Sequence, residues 1–274
     1  MTTILLGLAA GVSWGFADFF GGLASRRMSA ASVAAVSQMI GTVLLVAALI
    51  LMRPTLPSWP DLGLGALAGV GGGLGVFAFY RALAVGTISL VAPVSALGAG
   101  IPVAVGLLQG EQPGRLALVG IFVALTGAVV ASRAPGPATR RGLGMAALAA
   151  VGFGLFFVLI GPASETSVLW AAFATRTASV PVLIAVCLGT RASLRIGHGL
   201  WPYVLGAGVL DVAANVAFAA AATAGPLVIA SVLAGLYPVT TVVLAQIVLH
   251  ERLSPGQTAG VAVALTGVAL IAVG

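Results

Sequence analysis

Long apolar runs follow one another along almost the whole of this 274-residue chain, and they constrain its fold more than any other feature. A run of about 18 or more residues with few charges is long enough to cross the hydrocarbon core of a membrane as a helix. Only 7% of the residues are charged, against about 25% in an average soluble domain. The sequence therefore predicts an all-α membrane protein and excludes a soluble globular fold.

The runs predict ten transmembrane helices joined by short polar connections. The first run has no basic residue before it, is longer than the core of a signal peptide and is followed by nine similar runs, so we expect it to stay in the mature protein. The spans are placed near residues 4–24, 30–51, 61–81, 88–108, 114–132, 142–160, 168–189, 200–221, 227–249 and 255–273.

The second half of the chain repeats the first. The string VALTG occurs at Val123–Gly127 and again at Val263–Gly267, 140 residues later. Single residues match at the same offset, namely Gly120 with Gly260 and Glu111 with Glu251. The sequence therefore contains one unit twice.

Each copy of the unit holds five predicted spans. Because five is odd, the second copy must enter the bilayer from the opposite side, which is the inverted-repeat plan of many transporters. We therefore expect two inverted five-helix repeats, in residues 1–134 and 135–274, that meet near the middle of the membrane.

A few charged residues do not fall in the predicted connections. An ionisable group near the bilayer centre costs roughly 2.5–3.5 kcal/mol even on the lenient insertion scale, so each needs a partner or a water-filled cavity. Arg81 ends the third span, and its long side chain can reach the interface. The other three are Asp18, Arg176 and Asp211.

These three residues are predicted to share one cavity. Helical spacing places Asp18 on one face with Trp14, and Asp211 on one face with Asn215. At 1.5 Å per residue, Asp18, Asp211 and Arg176 lie about 10, about 16 and about 21 Å from the same membrane side. Those depths bring all three toward the midplane.

Two interpretations of the three charges are open at this stage. In the first, Arg176 and Asp211 form a buried ion pair that only neutralises itself. In the second, Arg176 binds an anionic group such as a substrate carboxylate, while Asp18 or Asp211 takes up protons. Only the second interpretation predicts a flux that depends on pH.

Aromatic residues near these charges are candidates for the wall of a pocket for an amphipathic solute, although ordinary packing explains aromatic residues equally well. The candidate substrate-binding residues are Trp14, Asp18, Tyr80, Phe153, Arg176, Asp211, Asn215 and Tyr237.

Prolines deep in the spans remove a backbone hydrogen bond and mark bends. Pro93 and Pro238 are therefore candidate hinges, with a static kink as the alternative.

Other classes of function have no residues to support them. His198 and His250 lie in connections without further ligands at zinc spacing, so we expect no metal and no cofactor. No catalytic motif or paired carboxylates are present, so we expect no enzyme. The twelve basic residues are all Arg and mostly flank the spans, which indicates contact with a lipid bilayer and no nucleic-acid partner.

Three segments of the sequence resemble a known family. They are GTISLVAPVSALG and GEQPGRLALVGIFVALTGAVV in the first half, and the run from GPLVIASV through Pro238 and HERLSP to the last span in the second. They are similar to EamA-type members of the drug/metabolite transporter superfamily. In the first half, Ala99 stands at the position that matches Pro238. The resemblance implies a transporter, export, and termini on the cytoplasmic side.

The distribution of Arg gives the opposite orientation. The odd-numbered connections hold nine Arg and the even-numbered ones hold two. The positive-inside rule then places the odd-numbered connections in the cytoplasm and both termini outside. The orientation is therefore open between these two arguments.

The expected function is a multi-pass secondary transporter in the cell (plasma or inner) membrane. It is expected to move a small amphipathic metabolite, an amino acid or a drug-like compound, by alternating access. Because the chain has no segment to bind ATP, an ion gradient or the gradient of the solute itself must drive transport, and protons are the candidate ion. The alternatives are a membrane-embedded lipid-modifying enzyme and a membrane subunit that does not transport.

Overall fold

The computed structural model describes residues 1–85, 94–95, 97–131, 142–249 and 254–273, and the regular structure within these ranges is helical. Short 3-10 turns at Leu97–Ala99 and His198–Leu200 precede two of the α-helices. The α-helices are α1 (Thr2–Ser25), α2 (Ala30–Met52), α3 (Trp59–Val85), α4 (Gly100–Leu108), α5 (Arg115–Ala131), α6 (Leu143–Ala163), α7 (Val168–Gly189), α8 (Trp201–Ala224), α9 (Leu227–Ala234), α10 (Tyr237–Leu249) and α11 (Pro255–Val273).

The long helices are those of a multi-pass membrane protein. Six of those described, α1, α2, α3, α6, α7 and α8, are long and apolar enough to cross a membrane, and the other apolar helices are shorter. Large apolar side chains also cover the outer surface, where Leu51, Leu108, Phe122 and Leu188 are each at least 74% exposed. An outer surface of large apolar side chains is favourable in contact with lipid and unfavourable in contact with water.

The predicted ninth span, 227–249, is not one helix. α9 ends at Ala234 and α10 begins at Tyr237, and the chain turns at Gly235 between them. Pro238 is thus the second residue of α10, where its missing N–H has no helical acceptor to lose. The bend that the sequence predicts at Pro238 therefore lies two to three residues earlier, at Gly235 and Leu236, and α9 and α10 together occupy the predicted range 227–249.

The predicted fourth span, 88–108, lies partly outside the described residues, and so does the candidate hinge Pro93. The described part of this span contains the turn Leu97–Ala99 followed by α4, which has only nine residues. The prediction of one regular helix is therefore tested only in this part, where the helix is short.

Helices of the first half pack mainly on helices of the second. α3 lies against α6 and α7, α1 lies against α8, and α2 lies against α7 and α8. Small residues permit the close approach: a Cβ on Gly152 of α6 would lie 2.5 Å from the carbonyl oxygen of Gly71 on α3. Such contacts hold helices together in lipid, where apolar side chains gain little by associating.

The two copies of VALTG lie on α5 and α11 and pack against each other. A Cβ on Gly127 of α5 would collide with the backbone of Ala264, and a Cβ on Gly267 of α11 would collide with the backbone of Ala124. Each of these residues is the 140-residue counterpart of a residue in the other pair. The contact is therefore reciprocal between the copies.

Candidate functional site

A partly open cavity lies about midway along α1, α3, α6, α7 and α8. It contains about 540 Å³ of space that no atom occupies, including space at its open side. Seven of the predicted binding residues line it, namely Trp14, Asp18, Phe153, Arg176, Asp211, Asn215 and Tyr237. The cavity therefore collects side chains from both halves of the chain.

Arg176 of α7 is a buried cation whose terminal nitrogens are both engaged. Its side chain is 4% exposed, and Nη2 donates to Oδ2 of Asp211 on α8 at 2.7 Å. Nη1 donates to Oε1 of Gln38 on α2, and the same oxygen accepts a hydrogen bond from Ser179 Oγ at 2.6 Å. The ion pair of the first interpretation is therefore formed.

Asp211 accepts hydrogen bonds from three side chains. Besides Arg176, Trp14 Nε1 donates to Oδ1 at 3.2 Å, and Asn215 Nδ2 donates to Oδ2 at 3.3 Å. With Gln38, this network joins α1, α2, α7 and α8. A buried charge is tolerated in such a setting because ionic and hydrogen-bonding partners replace water.

Asp18 lines the same cavity but has no hydrogen bond and no salt bridge to any residue that the structure describes. It lies one helical turn after Trp14 and is only partly buried. Asp211 and Tyr237 line the same cavity, and the Tyr80 hydroxyl packs against Gly21, three residues after Asp18. Asp18 is thus a carboxylate of the cavity wall without a hydrogen-bond donor among the described residues.

Aromatic rings form much of the wall. The ring centroid of Trp14 lies 5.5 Å from that of Phe157 and 6.0 Å from that of Phe156. Phe153 and Tyr237 meet edge to face at 6.5 Å. These distances are typical of favourable aromatic pairs, which leave ring faces and edges for an apolar solute.

Tyr237 also carries a polar atom without a partner. Its side chain lies in the cavity wall with only 6% of the residue exposed, and its hydroxyl has no hydrogen bond within the described parts of the chain. A buried hydroxyl without a partner costs about 1–3 kcal/mol. A solute or a water molecule that bonds to it would remove this cost.

Tyr80 is the predicted binding residue that the structure does not place on the cavity wall. It is buried, its ring lies 6.3 Å from that of Phe79, and its hydroxyl packs against Gly21, three residues after Asp18. It therefore packs against α1 near Asp18 without lining the cavity.

The candidate hinge Pro238 follows directly on Tyr237 at the start of α10.

Several residues of the wall were not among the predicted binding residues. Helical spacing contains a signal for some of them: Phe156 and Phe157 share a face with Phe153, and Ser179 lies three residues after Arg176. The repeat contains the signal for Gln38, which is the first-half counterpart of Arg176, and interhelical hydrogen bonding is the favoured interpretation of its side chain. Among the described residues, no three His, Cys, Asp or Glu side chains come together as metal ligands.

Comparison with known proteins accounts for almost the whole chain. The model of the EamA-like transporter family matches residues 1–133 and again residues 140–273. A solved structure, described as "Crystal structure of protein", has a TM-score of 0.80 and 20% identity, covering 99% of this chain and 97% of its own, which shows a shared fold. No curated protein matches. Because the family model matches both halves, the chain belongs to the EamA-like transporter family, within the drug/metabolite transporter superfamily.

Proposed function

We propose that this protein is a secondary transporter that moves a small amphipathic solute through the cavity between its two halves. The observation that carries the proposal is the position of the cavity, which lies midway along helices of both halves and has aromatic and charged walls. Transporters with inverted repeats bind their solutes at such a place. We include export across the plasma or inner membrane in the proposal, on the family resemblance alone.

The packing of the helices supports an inverted repeat in residues 1–134 and 135–274. If each helix is exchanged for its counterpart in the other half, the contact of α1 with α8 becomes that of α6 with α3. The contact of α2 with α8 becomes that of α7 with α3, and the contact of α5 with α11 is unchanged. In this proposal, the segment ending in α4 is the fourth of ten spans, and α9 with α10 is the ninth.

The break between α9 and α10 supports alternating access. Tyr237 stands at the first turn of α10 and in the cavity wall, so a change of angle at Gly235 moves part of the wall. α10 is also tied to α1, because Thr241 Oγ1 donates to the carbonyl oxygen of Gly15 at 3.2 Å. Pro238, beside the break, is the proposed hinge residue of this half.

Coupling to protons is proposed to run through Asp18. Asp211 is already held by Arg176, Trp14 and Asn215, whereas Asp18 has no such donors among the described residues. Among the described residues, the other titratable groups of the cavity wall are Arg176 from α7, Asp211 from α8 and Tyr237 from α10, and Tyr80 from α3 packs against Gly21 near Asp18. Protonation of Asp18 changes the charge of the cavity by one unit.

Flux into proteoliposomes tests this function. The purified chain is reconstituted alone, and uptake of a panel of amino acids and drug-like compounds is measured at two internal pH values. An uptake rate that changes with the pH gradient supports a proton-coupled transporter. An uptake rate that is the same at both internal pH values supports a facilitator without a role for protons. Folded protein that moves no solute of the panel would contradict transport and favour a non-transporting subunit.

A further inference from the structure

We infer that the cavity takes an organic cation, an amphipathic amine, and that Asp18 is its counter-ion. The inference rests on the proposed transport function and names the substrate class for the same cavity. It differs from the sequence-based hypothesis that Arg176 binds the carboxylate of an anionic solute.

The first step is the charge that remains after pairing. Arg176 donates from Nη1 to Gln38 and from Nη2 to Asp211, so its charge is paired with Asp211, although its Nε has no partner among the described residues. With all three side chains ionised, Asp18, Asp211 and Arg176 give the cavity a net charge of −1. An anionic solute would compete with Asp211 for the charge of Arg176 and would meet Asp18 as a like charge.

The second step is the hydroxyl of Tyr237. It is buried, lacks a partner in the described parts of the chain, and belongs to a residue that lines the same cavity as Asp18. An ammonium group has several N–H donors, so one can donate to the Asp18 carboxylate and another to the Tyr237 oxygen. A single cation would thus satisfy both groups, and hydrogen bonds to a charged partner are the stronger kind.

The third step is the aromatic wall around these two groups. Trp14 lies one turn before Asp18 on α1, and Phe153 meets the ring of Tyr237 at 6.5 Å. Aromatic faces attract cations, and they also accept the apolar part of a solute. The cavity therefore suits a molecule with an ammonium at one end and an apolar ring at the other.

Binding to the purified wild-type chain in detergent tests the inference without any transport step. Isothermal titration is carried out with phenethylamine, with phenethyl alcohol, which has no charge, and with hydrocinnamate, which is an anion. We expect the amine to bind about tenfold or more tightly than the alcohol, and the anion to bind most weakly. An alcohol that binds as well as the amine, or an anion that binds best, overturns the inference.

A matched pair of variants assigns the charge preference to Asp18. In Asp18→Asn, we expect the preference for amine over alcohol to disappear. In Glu165→Gln, which removes an exposed carboxylate from the connection between α6 and α7, we expect it to stay. Retention of the preference by a folded Asp18→Asn protein overturns the role of Asp18. If that variant does not fold, the three ligands on the wild-type chain still decide the substrate class.

The two proposals fail in different ways. Amine binding without flux in proteoliposomes would contradict transport and leave the binding site in place. Flux of a neutral or anionic solute, together with no preference for the amine, would contradict the cation site and leave transport in place.

Discussion

Asp18 and Asp211 are both aspartates in apolar helices that line one cavity, yet their surroundings differ. Asp211 accepts hydrogen bonds from Arg176, Trp14 and Asn215, whereas Asp18 accepts none from the described residues. A carboxylate held by three donors serves the fold, because losing it leaves a buried guanidinium without its ion-pair partner. This difference is the basis on which we propose a structural role for Asp211 and a binding role for Asp18.

Removal of the Asp211 charge should destabilise the protein. Asp211→Asn leaves Arg176 buried without an anion, and we expect unfolding to become easier by about 3–5 kcal/mol. The double variant Arg176→Gln with Asp211→Asn should recover much of that loss, because no buried charge remains. Denaturant unfolding in detergent measures both, with Glu165→Gln as the control. An Asp211→Asn protein as stable as the wild type would show that the pair does not support the fold.

At the scale of elements, one carboxylate connects the two halves at a helix end. Glu111, which follows α4, accepts hydrogen bonds from the backbone N–H of Leu227 at 2.7 Å and of Val228 at 2.9 Å, at the start of α9. These N–H groups have no acceptor inside the helix, and the helix dipole favours a negative charge there. Glu111 therefore stabilises α9 from outside it.

Neutralising this cap should weaken the fold moderately. Glu111→Gln keeps one acceptor oxygen but loses the charge and the second acceptor, so we expect a loss of about 1–2 kcal/mol. Thermal unfolding in detergent, followed by circular dichroism, measures it against Glu165→Gln, which removes a carboxylate that caps no helix. Equal stability of the two variants would contradict the capping role.

The reciprocal contact of α5 and α11 leads to a second prediction at this scale. Gly127→Ala places a Cβ against the backbone of Ala264, which cannot move aside as a side chain can, so we expect a loss of about 1–3 kcal/mol. Gly63→Ala in α3 is the matched control, because a Cβ there has no atom within 4 Å. The same unfolding assay compares the two, and a Gly127→Ala protein no less stable than Gly63→Ala would contradict this packing.

At the scale of the whole molecule, the inverted repeat predicts on which side of the membrane each connection lies. The connection after α1 and that after α7 should share one side, and the connection after α6 should lie on the other. This holds for either orientation of the termini, so it is independent of the disagreement between the Arg count and the family resemblance.

Labelling of single cysteines tests that arrangement. In a Cys187→Ser background, Ser29→Cys, Ser193→Cys and Glu165→Cys place one thiol in each of the three connections, at positions exposed in the structure. A maleimide that cannot cross the membrane should label the first two from one side and the third from the other. Labelling of all three from the same side would rule out inverted halves. The side that labels Ser29→Cys also settles the orientation.

Properties that depend on local composition and spacing could be predicted from the chain alone. Apolar runs placed the helices, and α7 and α11 begin and end where their runs do. The 140-residue offset identified the two copies, and helical spacing selected Trp14 with Asp18 and Asp211 with Asn215, which all line the cavity. Such properties can be predicted from the sequence because each depends on neighbours within one or two helical turns.

The contacts between side chains of different helices could not be predicted in this way and are known from the structure. In the structure, Arg176 binds Asp211 and Gln38. Tyr80 does not line the cavity, and α9 ends before Pro238. Asp18 and the Tyr237 hydroxyl are without partners among the described residues. The physical reason is that a buried polar group is satisfied by whichever donor or acceptor the packing of distant helices brings to it. Spacing along one helix does not contain that information.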